Sequence, residues 1–204
     1  MIEKNKKEKF LLGSQKKPKH GDFSSEIAIN DPKNKFILNH IRNKEVLDIG
    51  CVNHNPLNHQ SKYWLHKLLH KYSKNVLGLD LSKEGVEYLN SIGYKVIHAD
   101  AENFDLNKTF DVIVAGDIIE HLNNPGEFLE SCKRHMDKNS KLLITTPNPW
   151  YWKCFLKVFL FGFYETNAEH TCWFDPITLE QLLTRYNLKM LNFEYGSRYL
   201  IDKI

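Results

Sequence analysis

Short apolar runs that close on a polar residue recur five times along this chain, and that recurrence restricts the fold more than any other feature. They are EVLDI at 45–49 before Gly50, NVLGLD at 75–80, YKVIHA at 94–99 before Asp100, FDVIVA at 110–115 before Gly116 and Asp117, and KLLIT at 141–145 before Thr146-Pro147-Asn148-Pro149. Runs this short and this continuously apolar are strands covered on both faces, the situation of a parallel sheet. Helical patterns lie between them. Phe36, Ile37 and Ile41 follow Asp31 as N-cap and Pro32 in the first turn. Trp64, Leu65, Leu68 and Leu69 mark one face of a helix over 60–72. Ser82 caps a helix through Leu89, Pro125-Gly126 open one carrying Phe128, Leu129 and Cys132, and 176–186 turns Leu179, Leu182 and Leu183 inward.

Strands alternating with helices over short loops give an α/β fold, Rossmann-like, with a doubly wound, mostly parallel sheet and helices on both faces. Residues 188–195 and 197–203 are the last strand candidates, and a C-terminal antiparallel strand is expected there. Ligands of such sheets sit at the carboxyl ends of the strands, where the sequence delivers Asp48, Gly50, Asp80, Asp100, Asp117 and Asn148. An acid ending the second strand can accept two hydrogen bonds from a ribose diol. A dinucleotide would also need G-x-G-x-x-G to lay its pyrophosphate on a helix N-terminus, but no glycine follows Gly50 until Gly78. The cleft therefore suits a nucleoside without a pyrophosphate.

Taken in order, the motifs resemble those of the class I S-adenosylmethionine-dependent methyltransferases, in particular the small, cap-less group acting on sugars, quinones and other small acceptors. VLDIGC matches that family's first motif, VLGLDLS the second, HADAENF the third, FDVIVAGDIIEHLNNP the fourth and KLLITTPNPW the strand after it, spanning about residues 44–195. The resemblance implies S-adenosylmethionine as cofactor. It sets Asp48, Gly50 and Cys51 at the amino-acid and sugar portion, Asp80 and Leu81 at the ribose, Asp100 and Ala101 beside the adenine, and Asp117 at the same edge. The chain departs from the family's D-x-G-x-G-x-G in having Val52 and His54 for the later glycines. A Cβ there narrows the backbone's approach to the methionine moiety, so either the loop opens differently or binding is weak, and a non-catalytic cofactor- or partner-binding module stands as an alternative.

Asp117, Glu120 and His121 fall at i, i+3 and i+4 and would share a face in a helical turn, with His170 available to join them. Two carboxylates and imidazoles form a divalent-metal face. A similar arrangement occurs in metal-dependent O-methyltransferases of ubiquinone synthesis and of small-RNA 2′-hydroxyl methylation. Many relatives carry E-H-L here without metal, and the expectation is no metal, with Asp117, Glu120, His121 and His170 as the candidates should one bind. Without it, in-line methyl transfer is largely positioning, and a hydroxyl acceptor needs a base titrating near neutrality. His121 and His170 are the candidate catalytic bases. His66 and His70 form an i, i+4 pair expected on a solvated face. The resemblance implies O-methylation of a sugar or glycan precursor as the expected reaction, and Thr146-Pro147-Asn148-Pro149, which is not the N-P-P-[YF] of adenine and amide nitrogen methylation, argues against an N-methyltransferase of that kind.

Charge limits the partners. The net +3 is uneven: residues 1–20 carry +5, leaving −2 on the rest. A basic, flexible tail over 1–25 is expected to precede a methyltransferase domain over 26–204. With no basic stripe to track phosphates, nucleic acid is disfavoured, and RNA 2′-O-methylation is the alternative activity. The tail lacks an apolar core and cleavage site for secretion, and no apolar run reaches the roughly 18–20 residues of a membrane span. The four cysteines form no C-x-x-C pair, so reduced thiols in the cytoplasm are expected. Trp150–Tyr164 is apolar nearly throughout, with Lys153 and Lys157 its only charges. It reads as a core-covering helix, a lid, a dimer surface or a peripheral membrane contact. Oligomeric state is not set by the sequence.

Overall fold

The computed structural model of the chain describes residues 31–52, 56–61, 63–164 and 167–196. The tail expected over 1–25, the strand expected over 197–203, and Asn53, His54 and Asn55 of the first loop lie outside the described residues. The elements run α1 (Pro32–Ile41), β1 (Glu45–Ile49), a 3-10 turn (Pro56–Gln60), α2 (Leu65–Tyr72), β2 (Asn75–Asp80), α3 (Lys83–Ser91), β3 (Val96–His98), β4 (Val112–Gly116), a second 3-10 turn (Ile119–His121), α4 (Pro125–Arg134), β5 (Lys141–Thr145), α5 (Trp152–Phe161) and α6 (Pro176–Arg185).

Local chemistry sets most of these boundaries. The Asp31 carboxylate accepts from the Lys33 and Asn34 amides at 3.1 and 3.4 Å, with Pro32 in the first turn of α1. These are amides that a helix start leaves without carbonyl partners. The helix expected from residue 60 begins instead at Leu65, because Trp64 is extended and its indole Nε1 donates to the Cys51 carbonyl at 2.7 Å. β3 gives up Tyr94, whose amide goes to the Leu89 carbonyl at the end of α3.

Among the described residues the strands form one five-stranded sheet in the order β3-β2-β1-β4-β5, every pair parallel. The order reverses between β1 and β4, so the loops leaving those strands diverge and open a crevice at their carboxyl ends. The two-residue period of a strand divides the core. Leu47, Ile49, Ile113 and Ala115 pack with Phe128 and Leu129 of α4 and Leu183 of α6. Val46, Val112 and Val114 pack with Ile37, Leu38 and Ile41 of α1 and Leu68 and Leu69 of α2. By the same alternation Asp48 lies on the α1/α2 face.

The expected strand over 188–195 does not form, and no antiparallel strand is present among the described residues. Leu188 and Met190 pack on the core, but Asn192 and Glu194 follow them on the same face with nothing apolar to bury. Leu191, Phe193 and Tyr195 are left exposed. Beside the uncovered edge of the sheet lies a cavity of about 930 Å³, bounded by β5, Phe36 of α1, Leu179 of α6 and the extended segment after it. α5 contributes only Cys154 to the interior. No described helix is long and apolar enough to cross a membrane.

Candidate active site

The start of the first loop, Gly50 to Val52, is fixed by a glycine turn and by a neighbouring helix. Gly50 has φ +80°, a conformation few side chains tolerate, and its amide donates to the Leu79 carbonyl at 2.8 Å. A Cβ on Gly50 would lie 3.0 Å from Ile118 Cδ1. The thiol of Cys51 is buried, which pushes its pKa well up. Val52, which replaces a family glycine, is also buried. Its side chain fills the space that Gly85 of α3 leaves, since a Cβ on Gly85 would come within 2.4 Å of Val52 Cγ1. The valine is thus taken up by α3, and its backbone amide donates to Asp80 Oδ2 at 2.8 Å.

Asp80 ends β2 and braces two segments, because its other oxygen accepts from the Ser82 amide at 2.9 Å. Each carboxylate oxygen keeps a second acceptor site for a diol. Leu81 beside it is 67% exposed, and its carbonyl accepts from His98 Nε2 at 3.0 Å. Asp100 turns the chain after β3 by accepting from the Glu102 amide at 2.9 Å, while Ala101 packs into the core. Asp48 is 2% exposed, below this edge, with Oδ2 accepting from His66 Nδ1 at 2.8 Å. Burial raises its pKa against the opposing pull of the His66 ring.

Asp117 follows β4 in a left-handed conformation, φ +53°. Thr145 holds it there: the Asp117 amide donates to the Thr145 carbonyl at 3.0 Å, and Thr145 Oγ1 donates to Asp117 Oδ1 at 2.9 Å. Lys33 of α1 reaches Asp117 Oδ2 at 2.6 Å. Asp117 does not join the metal-type cluster expected from its spacing, since the residues from Ile119 form a 3-10 turn rather than a continuing α-helix.

Glu120, His121 and His170 do converge, offering ligand atoms within 4.8 Å of one another. The 167–175 loop is tied down by Thr171, whose amide donates to the Glu120 carbonyl at 2.8 Å and whose hydroxyl donates to the Leu122 carbonyl at 2.7 Å. That places the His170 and His121 rings edge to face, 4.7 Å apart. Glu120 is 1% exposed, and neither carboxylate oxygen has a hydrogen-bond partner among the described residues; Thr146 Oγ1 is also unpartnered. Burial pushes the Glu120 pKa up to about 7, with the Asp117 charge adding to it. Smaller downward pulls come from its own backbone amide and from the Thr146 hydroxyl, which lies close by without a well-formed hydrogen bond to the carboxylate.

Three contributors were not legible as site residues. His66, expected on a solvated face, is 1% exposed and pairs with Asp48; its place three residues before Leu69, on the buried stripe of α2, is the signal that locates it. Its partner in that pair, His70, does stay at the surface, with its ring 5.3 Å from that of Tyr94. Lys33 and Thr145 act on Asp117 across 84 and 28 residues of chain, and no local pattern announces such contacts.

A family model described as a methyltransferase domain matches residues 24–192. The ubiquinone biosynthesis O-methyltransferase of Rickettsia prowazekii is 23% identical over 190 residues, covering 84% of this chain and 72% of that protein. The protein of the same name from Rickettsia canadensis is 27% identical over 164 residues, covering 72% and 64%. The chain thus spans about two thirds to three quarters of the length of these two relatives. The crystal structure of a candidate methyltransferase from Bacillus halodurans shares the fold, with a TM-score of 0.53 and 16% identity over 76% of this chain and 67% of that one.

Proposed function

The chain belongs to the class I S-adenosylmethionine-dependent methyltransferases, and from that premise we propose that it methylates a hydroxyl oxygen of a small acceptor, a phenolic hydroxyl of the quinone-precursor type. The observation that carries this reading is the cluster of Glu120, His121 and His170 beside the crevice, with the Glu120 carboxylate buried and without a partner. The relatives' names favour a phenol over the sugar or glycan precursor expected from the motifs. Trp173, whose ring lies 6.4 Å from that of His170, adds a flat apolar surface for an aromatic acceptor.

The residues at the strand edge fit the adenosyl cofactor. Gly50 presents backbone without a Cβ, Asp80 keeps acceptor sites for the ribose hydroxyls, and exposed Leu81 offers an apolar face to the base. When bound, S-adenosylmethionine supplies a methyl group on a sulfonium, which leaves as a neutral thioether. His121 or His170 takes the acceptor's hydroxyl proton, so that the oxygen carries an electron pair toward that methyl. Glu120 stabilises the resulting imidazolium. Asp117, fixed by Thr145 and Lys33, holds the β4 loop against the crevice, because in-line displacement rewards fixed geometry above all.

The same donor set suits a hard divalent cation: one carboxylate with no partner and two imidazoles. Glu120, His121 and His170 would hold it, and it would lower the pKa of the acceptor hydroxyl. S-adenosylhomocysteine release with a catechol as acceptor tests the proposal, run with Mg²⁺ and with chelator. Turnover that His121→Ala and His170→Ala each reduce about a hundredfold supports it. Turnover with sugars and none with phenols would return the acceptor to a sugar, and activity unchanged in chelator removes the cation.

A further inference from the structure

We infer that α5 seats this protein on an anionic bilayer surface. Trp152, Phe155, Val158, Phe159, Leu160 and Phe161 are all exposed, Phe155 and Phe159 at 73% and 75%. At about 100° per residue these side chains point around most of the helix axis rather than along one stripe. A groove on a protein partner, or on a second copy, covers one stripe and leaves the others wet. The fluid head-group and acyl boundary of a bilayer needs no complementary groove, so apolar side chains spread this widely can sink into it together.

Length and charge say how the helix lies. Ten residues span about 15 Å, half of the ~30 Å hydrocarbon core, so α5 can lie in the interface but cannot cross. It contains no acid. Its two charges are Lys153, with Nζ 5.6 Å from the Tyr151 and Trp152 rings, and Lys157, with Nζ 5.2 Å from the Tyr164 ring. Lysines held along aromatic surface in this way reach lipid phosphates while their stems stay in apolar contact. Trp150 and Tyr151 before the helix and Tyr164 after it are the residue types that settle at head-group level. Gly162, at φ +78°, closes the helix through its amide to the Val158 carbonyl at 2.8 Å.

The docked helix would set the acceptor site at the membrane surface, because the Tyr164 ring meets Trp173 at 6.2 Å and Trp173 meets His170 at 6.4 Å. That consequence rests on the hydroxyl-transfer reading; the docking does not. The test is flotation of the full chain, without cofactor or acceptor, on vesicles of phosphatidylcholine and phosphatidylglycerol in equal parts and on pure phosphatidylcholine. The native protein should float with the anionic vesicles, and the double variant Phe155→Glu/Phe159→Glu should partition roughly tenfold more weakly or less. Both positions are exposed, so an unchanged melting curve confirms that the variant folds. A variant that floats like the native protein assigns lipid binding to another surface and overturns the inference. So does a native protein that ignores both vesicle types, including one that elutes as a dimer which the double variant breaks.

Discussion

Glu120 is placed where a carboxylate is least comfortable. Its folded pKa of about 7 against an ordinary 4.5 means that the folded chain holds this proton more tightly than the unfolded chain does. Below about 4.5 both forms are protonated and burial of the side chain carries no ionic penalty; the penalty grows as pH rises and is complete above about 7, reaching up to about 3 kcal/mol. Glu120→Gln, measured in chelator, should therefore melt above the native protein at pH 8, with the difference closing by pH 5. The same variant should lose about a hundredfold in methyl transfer if the carboxylate serves the histidines. A variant that melts lower at pH 8 would show that the carboxylate has a partner and is not stored for function. Val52 and Gly85 make a second residue-scale pair. A Cβ at Gly85 meets Val52 at 2.4 Å, so Gly85→Ala should cost about 1–3 kcal/mol in urea denaturation. It should also weaken cofactor binding by calorimetry, since displaced Val52 takes its amide away from Asp80.

Between elements, the Asp48–His66 pair couples β1 to α2 through the interior. His66→Ala leaves a buried carboxylate without its partner and should cost about 3–5 kcal/mol by urea denaturation. Asp48→Asn in the same background should recover part of that loss, and additive effects would show that the two do not interact. This pair also marks where sequence reading stops. The strands were legible because five short apolar runs recur between helical patterns, the central β1 and β4 being buried on both faces, and β2 and β5 match their expected ranges residue for residue. The positions of Asp80 and Asp117 at the sheet edge were legible because strand ends in a parallel sheet share that edge. The Asp48–His66 contact was not, since it depends on which face of α2 turns inward. The strand expected over 188–195 does not form for a related reason. Alternation names two faces, but only a neighbouring strand and an apolar partner surface make either face worth burying.

Across the whole molecule, the candidate site is assembled from segments distant in sequence: the loops after β1, β2, β3 and β4, and the Thr171-anchored loop that carries His170. No single element holds it, so a ligand bound there ties together parts that otherwise meet only through the core. Binding to the folded state alone stabilises by mass action, about 2.7 kcal/mol at a hundred times the dissociation constant. For a chain of this size that corresponds to a rise of roughly 5–10 °C in Tm. S-adenosylmethionine should produce a shift of that order in scanning fluorimetry. Asp80→Ala should abolish the shift even though its own melting temperature falls with the loss of the Val52 and Ser82 contacts. The shift, rather than the starting Tm, is the quantity that separates cofactor binding from bracing. No shift at millimolar cofactor in a natively folded protein would mean that the loop containing Val52 does not admit the methionine moiety, and the chain would then be a binding module that has kept the fold without the chemistry.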